Sequence, residues 1–121
     1  MSNPNIAATS VIRGKTDVLA ATTTSVAITS NGTASSMVYK VNTLTLSNVQ
    51  SDGTSTADVS VDLYRGGSAT KVANVVSIPY GATLVAINKT NPIYLLEGDS
   101  LRVVAGAVSS VHAVCSYEEI S

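Results

Sequence analysis

The sequence predicts an all-β fold, a single antiparallel β-sandwich of jelly-roll or Greek-key type, and three observations predict it. Ten short runs rich in Val, Thr, Ile and Leu recur along the chain, separated by turn clusters that contain Gly. No long segment shows the i, i+3, i+4, i+7 apolar spacing of an amphipathic helix. Trp and Phe are absent, so a core must come from Val, Ile, Leu and Ala with five Tyr, a set in which the β-branched residues favour strands. At 121 residues the chain is long enough for one core and too short for two ordinary ones.

Residues 1–8, with Pro4 among polar neighbours and no hydrophobic period, read as an N-terminal arm, and residues 9–121 as the sandwich domain. The strand-like runs fall at 9–13, 18–20, 25–29, 37–47, 57–64, 71–78, 83–88, 93–96, 101–105 and 111–117. Gly14-Lys15-Thr16 reads as an exposed turn between the first two; it lacks the earlier Gly of a phosphate-binding loop, position 9 being Thr. The run 37–47 slips phase, since Tyr39 and Val41 are odd-numbered while Leu44 and Leu46 are even-numbered, and a bulge near Asn42 and Thr43 reconciles them. In the run 57–64, Ala57, Val59, Val61 and Leu63 share one face and Asp58, Ser60 and Asp62 the other, which predicts one dry face and one solvated face.

Turns are marked by Asn31-Gly32, Asp52-Gly53, Arg65-Gly66-Gly67, Tyr80-Gly81 and Glu97-Gly98-Asp99, each placing Gly where a positive φ is expected. Residues 50–56 are polar enough for an exposed loop. In the last run Val111, Ala113, Cys115 and Tyr117 alternate with His112, Val114 and Ser116, so Cys115 falls in the apolar phase, where a thiol is inert.

Composition narrows the function. Charged residues make up 12% of the chain and the net charge is -1, so nothing here neutralises a run of phosphates, and nucleic acid is not an expected partner. No apolar run is long enough to span a bilayer, and the N-terminus lacks the pattern of a signal peptide; the expectation is a chain made in a cytoplasm, with no membrane partner. The single Cys agrees with a reducing compartment of synthesis.

His112 is the only His and has no Cys or His near it in sequence, so it reads as a surface histidine rather than a metal ligand. A nucleophilic triad would have to recruit that same His112. Asp58 and Asp62, four residues apart on a strand, stand about 13 Å apart, too far for a glycosidase pair. Asn31-Gly32-Thr33 and Asn88-Lys89-Thr90 match the glycosylation sequon but read as polar turns. No enzyme activity, metal or cofactor is expected. Tyr64, Tyr80 and Tyr94 sit at strand ends or turns, where they either anchor an interface or cap the core.

Four stretches, Asp62-Leu63-Tyr64-Arg65, Pro79-Tyr80-Gly81-Ala82-Thr83-Leu84-Val85, Ile93-Tyr94-Leu95-Leu96-Glu97-Gly98-Asp99-Ser100-Leu101-Arg102 and Cys115-Ser116-Tyr117-Glu118-Glu119-Ile120, together resemble small virion structural proteins of tailed bacteriophages, notably phages of marine bacteria and cyanobacteria. The resemblance covers roughly residues 3–120 and brings no catalytic residues with it. It implies a non-enzymatic virion protein. The leading expectation is a capsid decoration or cement protein on the major capsid shell, with a tail, neck or fibre-attachment protein as the alternative. It implies other virion proteins as partners and a homo-oligomer, with a trimer among the arrangements open to it. A carbohydrate-binding module is the competing class. The interaction residues expected are Asn3, Pro4, Asn5 and Ile6 of the arm, which adds a strand or clasps a neighbour, together with Tyr64 and Tyr80.

Overall fold

A computed structural model describes residues 11–108 and 110–121, and within them nine strands form two antiparallel sheets. The first sheet runs β1 (Ile12–Ala20), β9 (Val111–Ile120), β3 (Val38–Asn48), β6 (Thr83–Ile87), with β7 (Ile93–Leu95) also paired to β3. The second runs β2 (Val26–Ser30), β8 (Ser100–Ala105), β4 (Ala57–Arg65), β5 (Ser68–Ile78). Every connection changes sheet except the β4–β5 hairpin and the step from β6 to β7. This is jelly-roll strand order with the sixth strand of eight split in two. The split has a local cause: the Asn88 side-chain oxygen accepts the N–H groups of Thr90 (2.9 Å) and Asn91 (3.2 Å), and Pro92 then has no N–H to give to a ladder.

The inner faces make the core. Leu44 and Leu46 from β3, Val59 and Val61 from β4, Leu101 and Val103 from β8, and Ala113 and Cys115 from β9 are all sealed from solvent. Each fully buried Val or Leu contributes about 1.5–3 kcal/mol, so aliphatic burial alone stabilises a core without Trp or Phe. Its aromatic part is a stacked pair, Tyr39 and Tyr117, with ring centres 5.0 Å apart. The bulge expected near Asn42 and Thr43 is present: the β3–β9 register steps from Val41 opposite Tyr117 to Thr43 opposite Ser116. The β4–β5 hairpin turns on Gly66 and Gly67 at φ 60° and 81°, the left-handed pair that a two-residue turn needs.

Three expectations are corrected. Gly14-Lys15-Thr16 is no turn: it lies inside β1, where each residue from Ile12 to Ala20 has a partner on β9, and a full ladder outweighs the local weakness of one Gly. Ser60 and Asp62 are buried rather than solvated, because Lys71 on β5 pairs with Asp62 (3.0 Å) and Ser60 accepts the N–H of Val75 (2.9 Å) where β5 bulges. Gly32 does not take a positive φ; within the β2–β3 connection Ser36 does, at 57°. The arm of residues 1–8 lies outside the described residues, and with it Asn3, Pro4, Asn5 and Ile6.

Candidate functional site

The acidic turn between β7 and β8 is the most heavily bonded corner of the described molecule. Asp99 is 3% exposed, and one of its carboxylate oxygens accepts from Arg65 Nε (2.9 Å), Arg65 Nη2 (2.6 Å) and the N–H of Leu96 (2.8 Å). Glu97, also buried, accepts the N–H of Ser36 (2.8 Å). Buried Asn31 donates to the carbonyls of Met37 (2.8 Å) and Leu95 (2.9 Å) and accepts from the Ser35 hydroxyl, while its backbone pairs with Gly98 and Asp99. The two carboxylates therefore fasten the β2–β3 connection, the β4–β5 hairpin and the β7–β8 turn to one another. That is turn chemistry, as the sequence suggested.

Reactive groups elsewhere are dispersed. Among the described residues no three His, Cys, Asp or Glu side chains gather as metal ligands would. His112 is exposed on the outer face of β9. Cys115 is fully buried, and burial pushes its thiol up to about 11 against a smaller opposite pull from the Thr29 hydroxyl, so it stays protonated at neutral pH. Asp58 accepts from the Ser77 hydroxyl (2.6 Å), and Asp62 is paired with Lys71. Exposed Asp52 is held down to about 2 by the hydroxyl and N–H of Ser55 and the N–H of Thr54, an ordinary polar turn.

The tyrosines do not form a platform. Arg102 covers the Tyr64 ring, 3.7 Å from its centre, so the face that would stack on a ligand is occupied from within. Tyr80 is 44% exposed in the turn before β6, near the Asn48 end of β3, whereas Tyr94, 41% exposed, pairs with Lys40 at the other end. The described chain begins at Val11, which exchanges backbone hydrogen bonds with Ser121 (3.2 and 3.0 Å) beside β1, an edge strand of the first sheet.

Strand register assembles one feature that sequence reading missed. On the outside of the first sheet Val18 lies opposite Val114, Val114 opposite Thr45, and Thr45 opposite Val85. Val18 is 75%, Val85 52% and Val114 38% exposed. The rows on either side carry hydroxyls bonded sideways within the sheet, Thr16 to Ser116 (3.1 Å) and Ser47 to Thr83 (3.0 Å). The outside of the second sheet differs: Lys71, Asp62, Arg102 and Tyr64 interlock there. Val114 was visible in the sequence as one apolar residue in a polar phase, but only pairing brings its three neighbours beside it.

No protein-family model matches the chain, and no curated protein matches it in sequence. Solved structures share its fold, and two of them cover nearly the whole chain. One is a protein of Bacillus endospore appendages, described as a novel family of disulfide-linked pili, at 14% identity and a TM-score of 0.55, covering 100% of this chain and 96% of the other. Another belongs to the acid-stable capsid structure of Helicobacter pylori bacteriophage KHP30, at 10% identity and a TM-score of 0.56, covering 93% of this chain and 90% of the other.

Proposed function

We propose that the chain is a non-enzymatic structural protein of a phage virion, most specifically a capsid decoration or cement protein seated on the assembled shell of major capsid protein. The observation that carries this reading is the jelly roll itself, shared over nearly the full length of both chains with a protein of a phage capsid. The virion-protein resemblance of the strand ends and turns points the same way. The interior agrees, since its acidic side chains are spent on loop fastening and its one thiol is sealed. The pilus protein argues for assembly in general, but its disulfide linkage does not transfer: this chain has a single Cys, and it is buried.

In this reading the jelly roll is a rigid body and residues 1–8, including Asn3, Pro4, Asn5 and Ile6, reach from the outer edge of β1 to a neighbouring subunit. Proteomics of purified virions tests it. The chain is expected among the virion proteins in hundreds of copies per particle, the order set by a capsid lattice; a few to tens of copies would move it to the tail or neck, and absence would overturn a virion role. Deleting residues 2–8 is expected to leave a folded domain that is no longer incorporated.

A further inference from the structure

We propose that two copies of this chain associate edge to edge through β1, each copy's β1 pairing antiparallel with the other's across a two-fold axis at Thr16. The two described sheets have four edges, and three of them are blunted. β2 has five residues and a register shift between Ala27 and Thr29. β5 shifts register twice against β4 and takes a left-handed backbone at Val75. The far edge of the first sheet is broken between β6 and β7, where Pro92 follows the Asn88 turn. Bulges, breaks and Pro keep an edge from pairing. β1 has none of these: its nine residues include no Pro, and its register with β9 runs unbroken from Ile12 to Ala20.

The backbone of β1 is set for a further strand. Val11 and Ser121 exchange both of their hydrogen bonds (3.2 and 3.0 Å), and the Ala21 N–H donates to Val111 (2.9 Å). Odd-numbered residues therefore turn their backbone polar groups towards β9, and even-numbered ones turn theirs to the open edge. Ile12, Gly14, Thr16, Val18 and Ala20 present those groups outward, and no described strand pairs with them. In the arrangement centred on Thr16, Ile12 meets Ala20 of the other copy, Gly14 meets Val18, and Thr16 meets Thr16. Every outward N–H and C=O is then bonded.

Side-chain charge selects the same register. Arg13, Lys15, Asp17 and Leu19 share the inner side of β1, opposite Glu119, Tyr117, Cys115 and Ala113. Charges at an edge discourage a foreign strand, but these match a second copy. Centring on Thr16 sets Lys15 of each copy beside Asp17 of the other, at positions outside the hydrogen-bonded pairs, where opposed side chains lie closest. Lys15 is half exposed; its ammonium stands 3.3 Å from Glu119 and has donors to spare. Asp17 accepts from the Thr29 hydroxyl (3.0 Å) and the Tyr117 phenol and has lone pairs left. An axis at Lys15 would set Lys15 on Lys15, and one at Asp17 would set Asp17 on Asp17. An axis between residues would turn inner faces against outer ones. This self-matching is why the occupant is a second copy.

One strand pair buries less than the about 800 Å² per partner of a stable interface, so the isolated pair is weak and persists when repeated in an assembly. The inference is independent of the virion role, because self-association is measured on the purified chain.

The test is sedimentation equilibrium of the full chain from roughly 10 µM to 1 mM, the range in which weak pairs form. Its average mass is expected to climb towards that of a dimer. V18P removes an N–H that points to the open edge and spares the β9 ladder, so it is expected to keep the wild-type circular dichroism spectrum while associating at least tenfold more weakly. Deleting residues 2–8 is expected to leave association unchanged. As a second readout, T16C is expected to form an intermolecular disulfide under mild oxidation, because its paired Cα atoms lie about 5.5 Å apart. G14C has room for its side chain but stands about 13 Å along the strand from its counterpart, so it is expected to form none. Buried Cys115 adds no background. A chain that stays monomeric throughout, a folded V18P that associates like wild type, T16C that cross-links no better than G14C, or association lost with residues 2–8 would each overturn the proposal. Absence of the chain from virions would overturn its virion role without altering these results.

Discussion

Val75 holds a backbone that its side chain resists. It is β-branched, sits at φ 47° in the bulged part of β5, and leaves 62% of its surface in solvent, so the core gains little from it. Left-handed strain of this kind costs about 1–3 kcal/mol, and Gly gives back about 0.5–1 kcal/mol in chain entropy. V75G is therefore expected to raise the unfolding free energy by about 1 kcal/mol, read from the urea midpoint; an unchanged or lower midpoint would contradict the strain account. The buried acids of the core act in the opposite pH direction from surface carboxylates. Burial, then a hydrogen bond to Asp17, raises the Tyr117 phenol; burial, then a hydrogen bond to Glu119, raises that of Tyr39. With Cys115 moved from 9.0 to about 11, the native state holds protons that the unfolded chain releases first. The thiol's stabilisation is complete below about pH 9 and is lost as pH rises through about 11, while that of the two phenols is complete below their ordinary pKa of 10.0 and is lost only as pH rises above it. Urea titrations across that window should show stability falling, with a shallower fall in C115A; an identical slope would exclude the thiol as a contributor.

Two buried asparagines fasten the sandwich at opposite ends of its longest inner strand. Asn31 holds the carbonyls of Met37 and Leu95 before β3 begins, and Asn48 holds those of Ser55 (2.9 Å) and Ile78 (3.0 Å) where β3 ends. N31A leaves two carbonyls and the Ser35 hydroxyl without their partner, and the expected loss is about 2–4 kcal/mol of unfolding free energy by chemical denaturation. A loss under 1 kcal/mol would mean that water replaces the side chain. The same scale explains what was legible in the sequence. Alternation placed the core faces of β3, β4 and β9 and even the bulge at Asn42, because burial on one face fixes a period of two. It failed for Gly14-Lys15-Thr16 and for Ser60 and Asp62, because what decides them, the β9 ladder and the Lys71 side chain, comes from strands far away in the sequence. The clasp partners Asn31 and Arg65 were likewise visible only as turn residues.

The molecule as a whole has two unlike outer faces. One carries the Lys71–Asp62 ion pair and Arg102 stacked on Tyr64, and the other a row of three exposed valines interrupted by Thr45. The molecule's buried acids Glu97 and Asp99 are committed to fastening loops. The fold class was readable from composition and turn spacing, but sheet order was not, since jelly-roll crossings depend on pairings between distant strands. The most direct test is a subnanometre reconstruction of the virion made from a genome that encodes this chain. A nine-stranded jelly-roll density repeated on the capsid surface, its β1 edge turned towards a neighbour, is the expected result; a particle whose density is fully explained by other chains would contradict a capsid role for this chain.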